Sequence, residues 1–330
     1  MVANAKSFET YQLCALVSKA NGEEPIGSAV SFDHCLVMEL PLPWPRDALQ
    51  ADHVPQGVLA VLKQTEERGL IKVRPQAIIP DPEYSQPGYT RVIHYHRPNE
   101  RIVHYEKNEF VVPDVKVEPL VEALFEKPER LPRFATYRQE TRHIREMLVC
   151  THGSRDTCCG TFGAPIYQAL REKYVSASTG QLRVWRTSHT GGHRFAPTLI
   201  DFPDGRYWGR VELAILDLLV KRNGPVTRLH DFYRGWSALT TPEQVAEREI
   251  WMREGWPWLE YQKTSRVLTF DEANKRTKMR IEFGMPEEAI FGAYEATVEV
   301  YGSVMTLPSS GAGPLQAEAL YRVSNLTKFS

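Results

Sequence analysis

The sequence predicts an α/β protein: two similar α/β units in series, followed by a small α+β extension. Three observations carry this reading. Strand-like apolar runs alternate with helical segments over the first two thirds of the chain, and one order of elements occurs twice. After residue 225 the pattern changes to a helix and several alternating apolar and polar stretches. At 330 residues the chain exceeds the usual size of one domain. The expected units are residues 1–140, 141–224 and 225–330.

Residues 1–28 read as a leader or edge element ending in "NGEEPIG". "FDHCLVMEL" (32–40) is the first firm strand. A helix fits 54–69, where Val58, Leu59, Leu62 and Thr65 share a face and Gly69 stops it. Strands are expected near 70–79, 89–96 and 101–106, the last two joined by "RPNE" as a hairpin. The helix "VEPLVEALFEK" (117–127) closes the unit, and "PERLPRFATYRQETRH" reads as a linker.

The second unit repeats that order. Strand "EMLVC" (146–150) leads through "THGSRDTCCGTFG" to a helix expected over 164–174, with Pro165 in its first turn. Strand 182–188, a Gly-rich loop, the hairpin of "APTLIDF" and "RYWGRVE" around "PDG", and a helix over 212–224 complete it. The shared order suggests a tandem duplication in which only the second copy kept its cysteines; two unrelated alternating segments fit the same pattern. Beyond 225, "TPEQVAEREIWMREG" is a helix with Thr241 as cap and Gln244 completing a capping box. The stretches at 266–270, 278–283, 294–307 and 317–326 suggest a small antiparallel sheet. That region holds no cysteine and one histidine, His230, so chemistry is expected elsewhere.

Composition narrows the function classes. Hydrophobic residues at 42% and charged residues at 25% describe an ordinary globular protein. A net charge of -1 with scattered Lys and Arg gives no footprint for nucleic acid or an anionic membrane. No apolar run reaches the roughly 20 residues of a membrane helix, and the start lacks a secretory pattern. The expectation is a cytoplasmic protein with reduced thiols, in which clustered cysteines point to a metal or catalysis before a disulfide.

Such a cluster exists. Cys150, Cys158 and Cys159 fall within ten residues, and "WRTSHTGGHRFAPT" downstream separates His189 from His193 by three residues that include two glycines. Cys150, one of Cys158 and Cys159, His189 and His193 make four soft or borderline ligands. In a right-handed strand–helix–strand unit both strands run parallel, so Cys150 and His189 leave the same edge of the sheet. By ligand type the set suits zinc or an iron–sulfur cluster equally. The eight residues between Cys150 and Cys159 exceed zinc-finger spacing and fit a loop around a binuclear cluster. Cys14 and Cys35 are expected as small core residues, and His34, His94, His96 and His104 as satisfied strand residues. Trp185 and Trp208 are expected in packing, and Arg155, Asp156 and Arg194 in loop salt bridges beside the ligands.

"LVCTHGSRDTCCG", together with "VWRTSHTGGHRFAPTLIDFPDGRYWGRV", closely resembles the sucrase/ferredoxin-like family, and "LVMELPLPWPRDAL" is similar to that family's first domain. The resemblance covers roughly residues 30–224. It implies a thioredoxin-like 2Fe-2S ferredoxin domain at 141–224 and a degenerate thioredoxin-like domain before it. It carries the cluster-ligand role onto Cys150, Cys159, His189 and His193, with Cys159 favoured over Cys158 because Gly160 follows it. The expected function is one-electron, proton-coupled transfer with a redox partner protein. Two alternatives stay open: a thiol-disulfide oxidoreductase using Cys158 and Cys159, and a zinc-stabilised binding module. No carboxylate pair presents itself as a glycosidase site.

Overall fold

A computed structural model describes residues 10–329, and the alternating segments there form one ten-stranded mixed sheet and one four-stranded antiparallel sheet. After a short helix α1 (Cys14–Ala20), the first half runs β1 (His34–Glu39), α2 (Gln56–Arg68), β2 (Val73–Ile78), β3 (Tyr89–His96), β4 (Glu106–Pro113) and α3 (Val117–Phe125). A two-residue strand β5 (Arg138–Gln139) pairs with β4, so the expected linker is built into the sheet. The second half runs β6 (Arg145–Cys150), α4 (Thr157–Leu170), β7 (Leu182–Thr187), β8 (Leu199–Phe202), β9 (Arg206–Trp208) and α5 (Leu216–Lys221).

Both halves use one topology. The first strand of each lies parallel to the second and antiparallel to the third, which is antiparallel to the fourth. The order is therefore β2-β1-β3-β4 in one half and β7-β6-β8-β9 in the other, and the halves join where Ile78 of β2 meets Thr187 of β7.

Side-chain alternation distributes each strand between two cores. Leu36 and Met38 of β1 pack under α2 and α3, while Met147 and Val149 of β6 pack under α4 and α5. The intervening Cys35, Val37 and Leu148 point the other way, into a core shared by both halves. Tyr95 of β3 stacks on Phe202 of β8 at 3.9 Å between ring centroids, although five strand-to-strand steps separate them in the sheet. The half-sheets thus fold face to face. At one end of this interface Arg183 reaches both Glu109 and Glu146, and Lys107 joins the same carboxylates. Trp185 lies in the shared core and donates to Glu146 at 2.6 Å; Trp208 lies under the helices of the second half.

The extension adds β10 (Tyr233–Trp236) to the edge of the large sheet beside β9, followed by α6 (Thr241–Glu254). Strands β11 (Gln262–Asp271), β12 (Arg276–Met285), β13 (Ile290–Thr306) and β14 (Gln316–Phe329) form the second sheet. Met279, Ile281 and Val298 of that sheet share a core with Val245, Ile250 and Trp251 of α6.

Several boundaries differ from the sequence reading, among them the helix expected over 212–224, which spans only Leu216–Lys221. The strand expected at 101–106 begins at Glu106, because Ile102 and Tyr105 are drawn out of the hairpin: Ile102 bridges to Lys263, and Tyr105 enters the shared core. The helix expected from 164 begins at Thr157, because Asp156 caps it by accepting the Cys158 N–H at 2.9 Å. Pro165 therefore lies inside that helix. In α6 the cap is Thr240 and the box partner Glu243, one residue earlier than expected, while Thr241 donates to the Gly27 carbonyl. Among the described residues, no helix is long and apolar enough to cross a membrane.

Candidate metal centre

The parallel register sets Cys150 beside Thr187, so the end of β6 and the loop after β7 open on one rim of the sheet. Helix α4 starts at that rim. Its first turn carries Cys158 and Cys159, whose sulfurs sit where unpaired N–H groups and the helix dipole favour negative charge. Gly163 lets the helix come this close: a Cβ there would fall 1.9 Å from the Cys150 carbonyl oxygen. The ligand loop closes around Arg234. Gly191 and Gly192 both have positive φ, and a Cβ on Gly192 would meet the Arg234 guanidinium at 2.5 Å. Arg234 donates to the Gly191 carbonyl at 2.9 Å, and Arg74 of β2 donates to the His189 carbonyl at 2.7 Å.

The structure brings three of the four expected ligands into one group. The ligand atoms of Cys150, Cys159 and His189 all lie within 4.8 Å of one another, with the Cys159 sulfur 3.6 Å from His189 Nδ1. Both sulfurs are buried. A hydrogen bond from the Cys159 thiol, reinforced by His189, holds Cys150 well below the usual thiol range despite its burial. The same contact, with burial, pushes Cys159 up.

His193 stands beside this group, its ring centroid 5.3 Å from that of His189, but its Nδ1 turns to other partners. That nitrogen is 3.2 Å from the Cys14 sulfur and 3.4 Å from an Asp156 carboxylate oxygen. Burial pushes His193 down to about 4, against the opposing pull of Asp156, and so keeps the imidazole neutral. Asp156 is itself fixed: Ser310 donates to it from its N–H at 2.9 Å and its hydroxyl at 2.7 Å. Against its burial, those hydrogen bonds and the one from Cys158 keep its carboxyl below the usual range.

Cys158 belongs to this second group. Its sulfur lies 3.7 Å from Cys14, and a hydrogen bond from the Cys14 thiol pushes it down to about 7. The two adjacent cysteines therefore face different surroundings, Cys159 with Cys150 and Cys158 with Cys14.

Several participants escaped the sequence reading. Cys14 is buried as expected, but it packs against the site. Ser310 comes from the extension where no chemistry was expected. His152 donates from Nε2 to the Pro45 carbonyl at 2.8 Å and accepts the His189 N–H at Nδ1, 3.2 Å away, which fixes the neutral tautomer. Of the flanking charges, Arg194 pairs with Glu23 and Glu318 rather than with the ligands. Asp156 and Ser154 tie the cysteine loop to other segments, Ser154 by donating to the Trp44 carbonyl at 2.7 Å.

A model of the sucrase/ferredoxin-like family matches residues 25–235. The chain belongs to that family. All four expected ligands of this sucrase/ferredoxin-like protein lie inside the matched span, whereas Cys14 and Ser310 lie outside it. The chain is also similar to altered inheritance of mitochondria protein 32 of Meyerozyma guilliermondii, with 31% identity over 144 residues. That match covers 38% of this chain and 48% of the relative, so it spans about half of the relative's length. No solved structure matches.

Proposed function

We propose that this sucrase/ferredoxin-like protein holds a 2Fe-2S cluster on Cys150, Cys159, His189 and His193 and exchanges single electrons with a redox partner protein. One observation carries the reading: two buried sulfurs and an imidazole converge within 4.8 Å, and a second neutral imidazole lies against the first. The donor set fits, because two thiolates and two imidazoles suit an iron–sulfur centre. When bound, such a cluster accepts and releases one electron.

The chain's own residues set how readily it does so. Two neutral imidazoles in place of two thiolates remove negative charge from the site, which raises the reduction potential. Arg74 and Arg234, held at the carbonyls of the ligand loop, add positive charge nearby and act in the same direction. Asp156 lies beside Nδ1 of His193, which would leave Nε2 for a bound group, a carboxylate–imidazole pairing of the kind that orients metal-bound histidines. His152 orients His189 through the backbone. Imidazole ligation also allows proton uptake to accompany reduction. All five cysteines are free thiols, which fits a reducing compartment such as the cytoplasm.

The test is anaerobic purification with assay of iron, acid-labile sulfide and visible absorption. The expected preparation is red-brown, contains two irons per chain and bleaches with dithionite. His189→Ala with His193→Ala should lose both iron and colour. A colourless protein containing zinc, or a metal-free one cycling a Cys158–Cys159 dithiol, would overturn the proposal.

A further inference from the structure

We infer that Cys14, Asp156 and Nδ1 of His193 form a second metal site, for a divalent transition cation, beside the cysteine centre. Three segments far apart in sequence supply it: Cys14 opens α1, Asp156 caps α4, and His193 opens the short turn His193–Phe195. One ligand atom from each lies within 4.8 Å of the other two. The Cys14 sulfur is 3.2 Å from His193 Nδ1 and 3.7 Å from Asp156 Oδ1, and Nδ1 is 3.4 Å from Asp156 Oδ2. A tetrahedral cation with bonds of about 2.0–2.3 Å holds its ligand atoms about 3.3–3.8 Å apart. The three donors therefore already stand near coordination spacing.

Asp156 points to a cation by what it lacks. Its side chain is 2% exposed, and among the described residues no Lys or Arg pairs with it, although buried carboxylates are normally paired or bound to metal. Hydrogen bonds hold it instead. Oδ1 accepts from the Cys158 N–H at 2.9 Å and from the Ser310 hydroxyl at 2.7 Å, which occupies both of its lone pairs. Oδ2 accepts the Ser310 N–H at 2.9 Å and keeps a second lone pair for a cation. Carboxylate ligands in metal sites are fixed by outer hydrogen bonds of this kind. Ser310 braces the sulfur donor as well, because its hydroxyl accepts the Cys14 N–H at 3.2 Å.

The donor chemistry suits a borderline metal. One thiolate, one imidazole and one carboxylate, with a fourth position left for water, is a set that zinc and cobalt accept. Cys14 is fully buried and His193 only partly, so the imidazole edge gives an ion its way in. Binding releases the Cys14 thiol proton to solvent and leaves a thiolate, a neutral imidazole and a carboxylate around the ion. The site takes Nδ1 of His193, whereas the cluster reading takes Nε2, and it does not rest on that reading. An imidazole binds metal at both nitrogens only after losing its ring proton. Cation and cluster therefore compete for His193, and the cation belongs to the cluster-free chain.

Cobalt is the probe, because thiolate ligation gives it a charge-transfer band in the near ultraviolet. It is added without oxygen to the full chain carrying Cys150→Ser and Cys159→Ser, which removes the sulfurs of the first group. We expect one Co²⁺ per chain, with that band, displaced by Zn²⁺. On this background Cys14→Ser should remove the band. Asp156→Asn, which keeps a cap for α4, and His193→Gln should each weaken uptake at least about tenfold while far-ultraviolet circular dichroism stays unchanged. No uptake at micromolar Co²⁺, a band that survives Cys14→Ser, or affinity unchanged in Asp156→Asn and His193→Gln would each overturn the site. Should the doubly substituted chain misfold, Cys14→Ser in the otherwise unaltered cluster-free chain must lower the bound cobalt by one ion, and an unchanged count overturns the site. Iron and sulfide content of the parent chain tests the cluster reading separately.

Discussion

Replacing Gly163 by alanine tests whether the approach of α4 to β6 builds the centre. The new methyl carbon would fall 1.9 Å from the Cys150 carbonyl oxygen, 3.0 Å from the carbonyl carbon and 3.5 Å from the Thr151 side chain. Carbon–oxygen contacts settle near 3.3 Å, so helix and strand end must separate by about 1.4 Å. The helix cannot retreat freely, because Ile166 and Leu170 are packed with Met147 and Val149 of β6. Overpacking of this kind costs roughly 1–3 kcal/mol or more, while alanine returns about 1 kcal/mol of helix propensity. The net expectation is a loss of up to roughly 2 kcal/mol, together with displacement of Cys159, which rides on the same helix, away from Cys150. Urea unfolding and iron content, measured on the same preparations, read the two effects. Gly302→Ala is the control, because its Cβ would meet nothing within 4 Å. If Gly163→Ala matches Gly302→Ala in both stability and iron retention, the close approach does not build the site.

Three further outcomes follow from the same geometry. Asp156→Asn removes the carboxylate beside His193, and we expect lower iron retention and a reduction potential raised by on the order of 50 mV, measured by dye-mediated titration. Cys159→Ser should abolish visible absorption while Cys158→Ser and Cys14→Ser preserve it; the reverse pattern would move the ligand to the Cys14 group. Stability of the iron-free chain should fall as pH falls from 7.5 to 5.5. Burial lowers the pKa of His94 well below its ordinary value and pushes His193 down to about 4, so the unfolded chain binds protons below about pH 6.5 that the folded chain does not. Their contribution is complete above that pH and is lost as pH drops toward the folded values, by roughly 1 kcal/mol for each ring at pH 5.5. His230, raised by Glu249, acts in the opposite sense and is lost as pH rises through its folded pKa. Urea midpoints at the two pH values check the sign, and a midpoint higher at pH 5.5 would contradict it.

The parts legible in sequence are those fixed by local spacing. Cys150 at a strand end, Cys159 a short loop later and His189 after the return strand all follow from one strand–helix–strand unit, whose parallel register is nearly obligatory. The start of α4 was also written locally, in Asp156 before Thr157, but Pro165 suggested a later first turn. What could not be read was supplied from far along the chain. Cys14 meets Cys158 across 144 residues, and Ser310 meets Asp156 across 154. Neither Cys14 in an apolar run nor Ser310 in a loop carries a local signal for that role. The histidines of β1 and β3 were visible individually, yet only the pairing of His34 with His96 shows that they share one face.

The repeated topology clarifies what the first half contributes. Position for position along the parallel pairs, Glu39 of β1 stands where β6 has Cys150, since Glu39 pairs with Ile78 as Cys150 pairs with Thr187. Glu39 is buried but already committed, accepting from Ser85 and from the Arg91 N–H. The first half therefore presents no sulfur at its own rim; it reaches across to the other one instead. Arg74 grips the His189 carbonyl, Pro45 accepts from His152, and Trp44 accepts from Ser154. These contacts fix the backbone on both sides of the ligand set without touching a ligand atom. Moving the first half away would leave Cys150 and Cys159 on their strand and helix and free the His189 carbonyl, while Arg234 of the extension would still hold Gly191. On this architecture the first half braces both loops of the candidate centre, and the second half supplies its candidate ligands.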